Sequence, residues 1–401
     1  MTTNEHPWRD WIPGVLSKNQ VRQLIRCGHL RGVDEDSEAI GNASFDLSLA
    51  DLGYVCMRGS IKPFGGPYEE PIKRDGLIDR LEPQPDGTYI LKAKQTYLFK
   101  VAQRLCIPSE AQIYGQATTK SSIGRMDVLA RLVIEQMTDY DTYRPLKNGQ
   151  SFGDMFLEIT PITFPVRVRP GLALTQLRLF YDDPQSVEIQ SNQLYSNILA
   201  ADGEEVDGTL SVDLSPITVS GEAVSAFSAR PVEPGGDPLP LWQEEDPQHR
   251  LDPCKYWQFE RLDQQGRLTI KERDFYILRS REHIAVPKGI AVYCRAFDET
   301  FGEMRIHYAG FVHPLFGRER ADGVRGTPLI FEVRGHDVNV SLRNGEKMAR
   351  LTFYRMSEDV ENADQSYNDQ LLQLSNRFAP WPECIKVDPD GSVRPVKEAD
   401  S

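Results

Sequence analysis

The feature that most restricts how this chain can fold is that it is written twice. Residues 90–115, "ILKAKQTYLFKVAQRLCIPSEAQIYG", align with residues 269–294, "TIKERDFYILRSREHIAVPKGIAVYC". At one constant offset Tyr97 falls on Tyr276, Pro108 on Pro287 and Tyr114 on Tyr293. Further on, "FLEI" (156–159) meets "IFEV" (330–333), which sets Glu158 against Glu332, and "RPGLALTQL" (169–177) meets "RNGEKMARL" (343–351). Near the start of each copy, "GNASFDLS" (41–48) resembles "GTLSVDLS" (208–215). The matches keep the same order in both halves, so the chain is a tandem duplication and one fold is built twice. The two units are expected over 1–195 and 196–401, with the join between 185 and 205.

The matched segments are short and rich in Val, Ile, Tyr, Phe and Leu, with Gly, Pro and Asp between them. That pattern predicts many short strands in a sandwich or barrel, a mainly β fold. One helix precedes the first copy, in "LSKNQVRQLIRCGHL". Ser17 caps it, Val21, Leu24 and Ile25 share a face, and Gly28 stops it. "RPVEPGGDPLPLW" (230–242) reads as a loop inside the second copy, and "RPG" and "RNG" as turns between strands. Asp46 and Asp213 are expected to fix turns or cap backbone groups.

Composition excludes several roles. A net charge of −13 opposes general nucleic-acid binding, because phosphate backbones are repelled. No apolar run of about 18 residues is available to span a bilayer. The opening "MTTNEHPWRDW" lacks the basic-then-apolar order of a secretion signal, so a cytoplasmic location is expected. Six scattered cysteines without a C-x-x-C pair predict reduced thiols and no zinc spacing. His307 and His313 at strand ends read as structural rather than metal-binding.

Within "ATTKSSIGRM" (117–126), two adjacent hydroxyls, a glycine and the cations Lys120 and Arg125 suit an anionic ligand. The second copy reads "DETFGE" at the aligned place, with Asp298 for Lys120 and Glu303 for Arg125. Each reversal is worth several kcal/mol of repulsion against a phosphate at about 4 Å, so only the first copy is expected to hold one.

"KSSIGRM" preceded by "AQIYGQA", then "GDMFLEI" and "RPGLALTQLRLF", together with the opening helix and "ASFDLSL", resembles the dCTP deaminase family of the trimeric dUTPase-like superfamily. The chain carries it in tandem-duplicated form. The resemblance implies two dUTPase-like β-clip domains (distorted jelly-roll barrels) with a short N-terminal helix. It implies hydrolytic deamination of dCTP to dUTP and ammonia, without zinc, with Mg2+ accompanying the substrate triphosphate. It also implies a homo-oligomer with active sites between subunits, one giving the R-S-S-x-x-R element and its neighbour the base pocket and the catalytic glutamate.

On this sequence the phosphate element is Lys120 (in place of the family's leading Arg), Ser121, Ser122 and Arg125. The base-pocket pattern appears only in the second copy, in "YAGFVHPLFG" (308–317). There the backbones of Ala309 and Gly310 are expected to read the cytosine edge, with Phe311 packed nearby. Each half retains what the other lost, which predicts a composite site. The zinc nucleobase deaminases use H-x-E with P-C-x-x-C, and neither occurs here. The expected catalyst is therefore Glu332, a carboxylate in an apolar strand whose burial raises its pKa toward the working range of a general base and acid. Ser121 and Arg125 are expected to orient the water, and Lys120 and Ser122 to hold phosphate. Glu158, the counterpart of Glu332, is a second catalytic candidate.

"SYNDQLLQLS" (366–375) resembles the family's closing arm, with Tyr367 and Gln370 over the nucleotide. His313 stands where dUTPases of the superfamily use an Asp, which disfavours phosphate hydrolysis. A dUTPase or bifunctional enzyme, and a nucleotide-binding protein without catalysis, are the competing readings.

Overall fold

The computed structural model of the chain describes residues 6–68, 71–72, 78–146, 153–200, 207–230, 232, 236–297, 304–306, 310–318, 325–361 and 371–396. The chain enters through helix α1 (Lys18–Arg26). The Ser17 hydroxyl accepts from the Gln20 backbone N–H, and the Gln20 side chain accepts from the Ser17 N–H. Two otherwise orphaned donors are thus satisfied reciprocally. Val21 and Leu24 are buried, and Gly28 at φ 74° follows the helix end where a side chain would be strained.

The first half then lays down β1 (Phe45–Cys56), β2 (Tyr89–Leu91), β3 (Tyr97–Val101) and β4 (Ile113–Thr119). After the short helix α2 (Ser121–Gly124) come β5 (Val128–Ile134), β6 (Met155–Pro161), β7 (Val166–Val168) and β8 (Ala173–Tyr181). The second half contributes β9 (Thr209–Asp213), β10 (Leu239–Pro240), β11 (Arg267–Ile270), β12 (Phe275–Ile284) and β13 (Ile290–Ala296). It continues with β14 (Gly310–Val312), β15 (Thr327–Gly335), β16 (Val340–Arg343) and β17 (Lys347–Arg355).

The duplication is visible in the pairing. Antiparallel neighbours run β4-β8-β1-β3-β6 in the first half and β13-β17-β9-β12-β15 in the second. The small pairs β2–β7 and β11–β16 also correspond. Individual bonds repeat as well. The Tyr97 hydroxyl accepts from the Lys92 N–H at 2.8 Å, and the Tyr276 hydroxyl from the Lys271 N–H at 3.1 Å. Lys94 and Arg273 both sit at φ 62°, while Gly171 and Gly345 form the "RPG" and "RNG" turns at φ 81° and 83°. The molecule is mostly β, with two curled sheets, a near-barrel and a half-barrel.

The halves do not keep to themselves. One core cluster, around Val212, Leu278, Phe331 and Phe353, belongs to the second half. The largest mixes Leu132, Leu157 and Phe164 with Trp257, Phe275 and Phe378 from the second. The 230–242 stretch departs from the expected loop. Its end becomes β10, parallel to β7 with Leu239 opposite Val166, and Leu239 and Leu241 are buried. Two leucines flanking Pro240 explain this: each buried side chain contributes about 2 kcal/mol, and a proline that lacks a donor is confined to a sheet edge. Among the described residues no helix is long and apolar enough to cross a membrane.

Candidate active site

β4 ends at Thr119, where the Lys120 N–H donates to the Leu174 carbonyl at 2.9 Å and the chain turns into α2. Ile123 and Met126 are fully buried and anchor the turn, so Arg125 between them is held by packing. Arg125 is buried too. Its Nη1 donates to the carbonyls of Gln373 and Leu374 at 3.2 and 3.4 Å, and the Ser375 hydroxyl donates to the Ser122 carbonyl at 2.6 Å. The segment beginning at 371 thus lies directly on the 120–125 motif. Tyr367 and Gln370 fall outside the described residues.

The first and second copies meet at Glu332. This residue lies in β15 between Phe331 and Val333, opposite Ile277 of β12, and is 4% exposed. Its Oε1 is 3.8 Å from Nε of Arg125, an electrostatic contact too long for a hydrogen bond. At an effective dielectric near 20 that pair gains about 4 kcal/mol, which favours the charged carboxylate. Burial opposes it and wins. The pKa is pushed up to about 7, with Arg125 and the nearby Ser121 hydroxyl pulling it down only in part. Oε1 makes no hydrogen bond among the described residues, so it is the oxygen left to take a proton.

Beside the carboxylate stands Cys294, whose thiol is pushed up to about 12 by burial and by the Glu332 charge. Cys294 of β13 pairs with Gly310 of β14, which brings the pocket strand next to Glu332. The Phe311 ring is committed elsewhere: the Arg178 guanidinium lies 4.0 Å from its centroid, and Tyr293 packs at 5.8 Å. Ala309 lies outside the described residues, as do His307, Asp298 and Glu303. His313 sits in a turn, its carbonyl accepting from the Phe316 N–H at 3.2 Å.

Two residues sit differently from the sequence expectation. Lys120 forms an ion pair with Asp46, so Asp46 is a charge partner rather than a turn former. Its counterpart Asp213 both pairs with Arg279 at 2.5 Å and accepts from the Ser215 N–H. The structure does not bring Glu158 into the group around Glu332. Its carboxylate accepts from Ser60 at 2.8 Å, from the Ile61 N–H at 3.1 Å and from the Tyr140 hydroxyl at 3.1 and 3.2 Å, all first-half residues. Burial raises its pKa and those bonds hold it down in part.

Sequence reasoning passed over Arg178. It is fully buried on β8 and donates to the carbonyls of Ala43, Val292 and Val312 at 3.2, 2.8 and 3.4 Å. Burial lowers its pKa to about 9, which still leaves it charged at neutral pH. It ties the first-half sheet to β13 and β14 of the second. A lysine cannot span three carbonyls with one ammonium group. Arg178→Lys is therefore expected to lower stability by about 3 kcal/mol in urea unfolding. A loss below the fitting error would show that the fork does not join the halves.

Residues 12–183 match the family model of the 2'-deoxycytidine 5'-triphosphate deaminase N-terminal domain, and residues 190–378 that of its C-terminal domain. Among solved structures, the chain is similar to the crystal structure of 2'-deoxycytidine 5'-triphosphate deaminase from Agrobacterium tumefaciens, with 28% identity and a TM-score of 0.73. That match covers 86% of this chain and 96% of the other. No curated protein gives a significant match. With the two family models following one another along the same two halves that meet at Arg125 and Glu332, the chain belongs to the 2'-deoxycytidine 5'-triphosphate deaminase family.

Proposed function

We propose that the group formed by Ser121, Arg125 and Glu332 converts dCTP and water into dUTP and ammonia. The observation that carries this reading is the 3.8 Å approach of a buried second-half carboxylate to the first-half cation. Family membership supports the substrate class, and the approach of the two side chains supports the roles given to them.

Glu332, ionised, takes a proton from water, and the hydroxide oxygen bonds to C4 of the cytosine ring. Glu332 passes the proton to N3, then takes the remaining proton of the C4 hydroxyl and delivers it to the amino nitrogen as the C4–N bond breaks, which leaves the C4 carbonyl and ammonia. Ser121 and Arg125 orient the attacking oxygen and stabilise charge at the tetrahedral carbon. Lys120 and Ser122 hold phosphate oxygens, Lys120 exchanging its Asp46 partner for the more strongly charged triphosphate. The backbones of Ala309 and Gly310 read the base edge.

Mg2+ enters as the companion of the triphosphate. Bound with the triphosphate, it would neutralise phosphate charge. Glu158 remains a support for the Ser60–Ile61 segment. We place the enzyme in the cytoplasm as a homo-oligomer, with the two units dividing near residue 195.

The test is a product balance from dCTP. One ammonia per dUTP, with no pyrophosphate, is expected. Pyrophosphate release would establish the dUTPase or bifunctional reading, and tight binding without turnover the silent binder. Because Glu332 acts as a base with a pKa of about 7 in the free protein, kcat/KM is expected to rise as pH increases through 7. A profile flat between pH 6 and 8 would contradict that role.

A further inference from the structure

Two residues beyond Arg125 and two residues beyond Glu332 there is a second meeting of the halves, with the charges reversed. Asp127, of the first half, is fully buried, and Arg334, of the second, reaches it through Nη1 at 2.5 Å. The same Nη1 donates to the Thr163 hydroxyl at 3.1 Å, and Nη2 donates to the Arg273 carbonyl at 2.6 Å. Thr163 in turn donates to Asp127 at 2.5 Å. Arg334 and Glu332 are alternate residues of β15 and so share a face of the strand. Asp127 closes the turn after α2, its N–H donating to the Gly124 carbonyl at 2.9 Å.

Asp127 carries two costs at once. It holds φ 55°, a conformation in which glycine sits without strain, and it buries a carboxylate away from water. The turn itself requires neither the charge nor the burial. What the carboxylate does is bind a guanidinium that belongs to the strand carrying Glu332. Arg334 is further fixed by its Nη2 hydrogen bond to the Arg273 carbonyl, so β15 cannot slide or twist without breaking the pair.

We propose that Asp127 and Arg334 are positioning residues that set β15 against α2, so that Glu332 faces Ser121 and Arg125 at the reacting distance. This rests on the reading of Glu332 as the catalytic carboxylate. The pair stands two residues beyond Arg125 and Glu332, with Asp127 fully buried and Arg334 partly exposed. It acts through the placement of Glu332, where a displacement of about 1 Å costs about 100-fold in rate. The two crossed ion pairs, Arg125 with Glu332 and Asp127 with Arg334, admit one register: sliding β15 by two residues opposes like charges at Arg125 and Arg334.

The double variant Asp127→Asn with Arg334→Met removes both charges at similar volume, a change that folded proteins commonly tolerate. Its kcat is expected to fall about 100-fold, with KM for dCTP within about 3-fold of the parent. Arg334→Lys keeps the charge but, as a point cation, loses the second anchor to Arg273. It is expected to lower kcat about 10-fold at unchanged KM, and it decides the matter alone if the double variant does not fold. A kcat within about 2-fold of the parent in the folded variants overturns the proposal, as does a raised KM with kcat intact. Glu332→Gln, assayed beside them, separates the two claims. If it is active, the catalytic reading has failed. If it is dead while the pair variants turn over normally, only the positioning role has failed.

Discussion

Glu332→Gln is expected to lower kcat for dCTP by about 1,000-fold or more while KM changes little. Glutamine keeps the size of the side chain and its place between Phe331 and Val333, but it cannot accept the proton that water must lose. In the proposed reading nucleotide binding rests on Lys120, Ser122 and the backbone near Gly310, none of which the change alters. The variant has a second signature, in stability. The folded pKa of Glu332, about 7, lies above the ordinary 4.5 of a glutamate. The folded state therefore holds that proton more tightly than the unfolded chain. This contribution is fully present below pH 4.5 and is lost as pH rises through about 7. Glutamine does not titrate, so the melting temperature of the variant relative to the parent is expected to climb across that window. A difference that stays constant with pH would mean that Glu332 is solvated rather than buried beside Arg125.

Arg125→Met is expected to cost about 100-fold or more in kcat, because the proposed mechanism gives Arg125 the stabilisation of the developing charge. Its pH profile carries the diagnostic information. Arg125 pulls the Glu332 pKa down against burial, so removing the cation lets the pKa rise further above 7. The base form is the active one, and the acid limb of the residual activity therefore moves to higher pH. Arg125→Lys restores a charge without the fork to Gln373 and Leu374, and is expected to return the limb toward its parental position without restoring full rate. An acid limb that moves down, or not at all, would show that the carboxylate governing activity does not feel Arg125.

Much of this arrangement could be read from the residues because a duplication compares a sequence with itself. The aligned strands around Tyr97 and Tyr276 return as equivalent strands with the same tyrosine-to-backbone bond. The loss of both motif cations in "DETFGE" pointed to the first copy as the phosphate holder. An isolated carboxylate in "LIFEV" marked Glu332 as a buried acid, and the structure sets it against Arg125.

What was not legible lay in contacts between distant segments. Nothing local in "FDLS" says that Asp46 takes Lys120, since that pairing depends on β1 and β4 flanking the same strand, β8. Arg178 sits in the strand segment "LTQLRLFY", where alternation suggests a surface residue. It is buried because β13 and β14 of the other half close over it. The 230–242 stretch looked like a loop because prolines mask its two leucines, and only the neighbouring half offers them a place. Asp127 and Arg334 did leave a trace, a reversed pair of charges two residues beyond each motif, but such a trace has meaning only once the halves are known to touch there.

The family resemblance implies sites shared between subunits, whereas here Arg125 and Glu332 meet within one chain. Co-assembling Ser121→Ala chains with Glu332→Gln chains tests this directly. If each site is completed by the two halves of a single chain, every site in the mixture carries a defect, and dCTP turnover should not exceed the sum of the separate variants. Recovery of a substantial share of parental turnover would show that sites are built between chains, and would contradict the account.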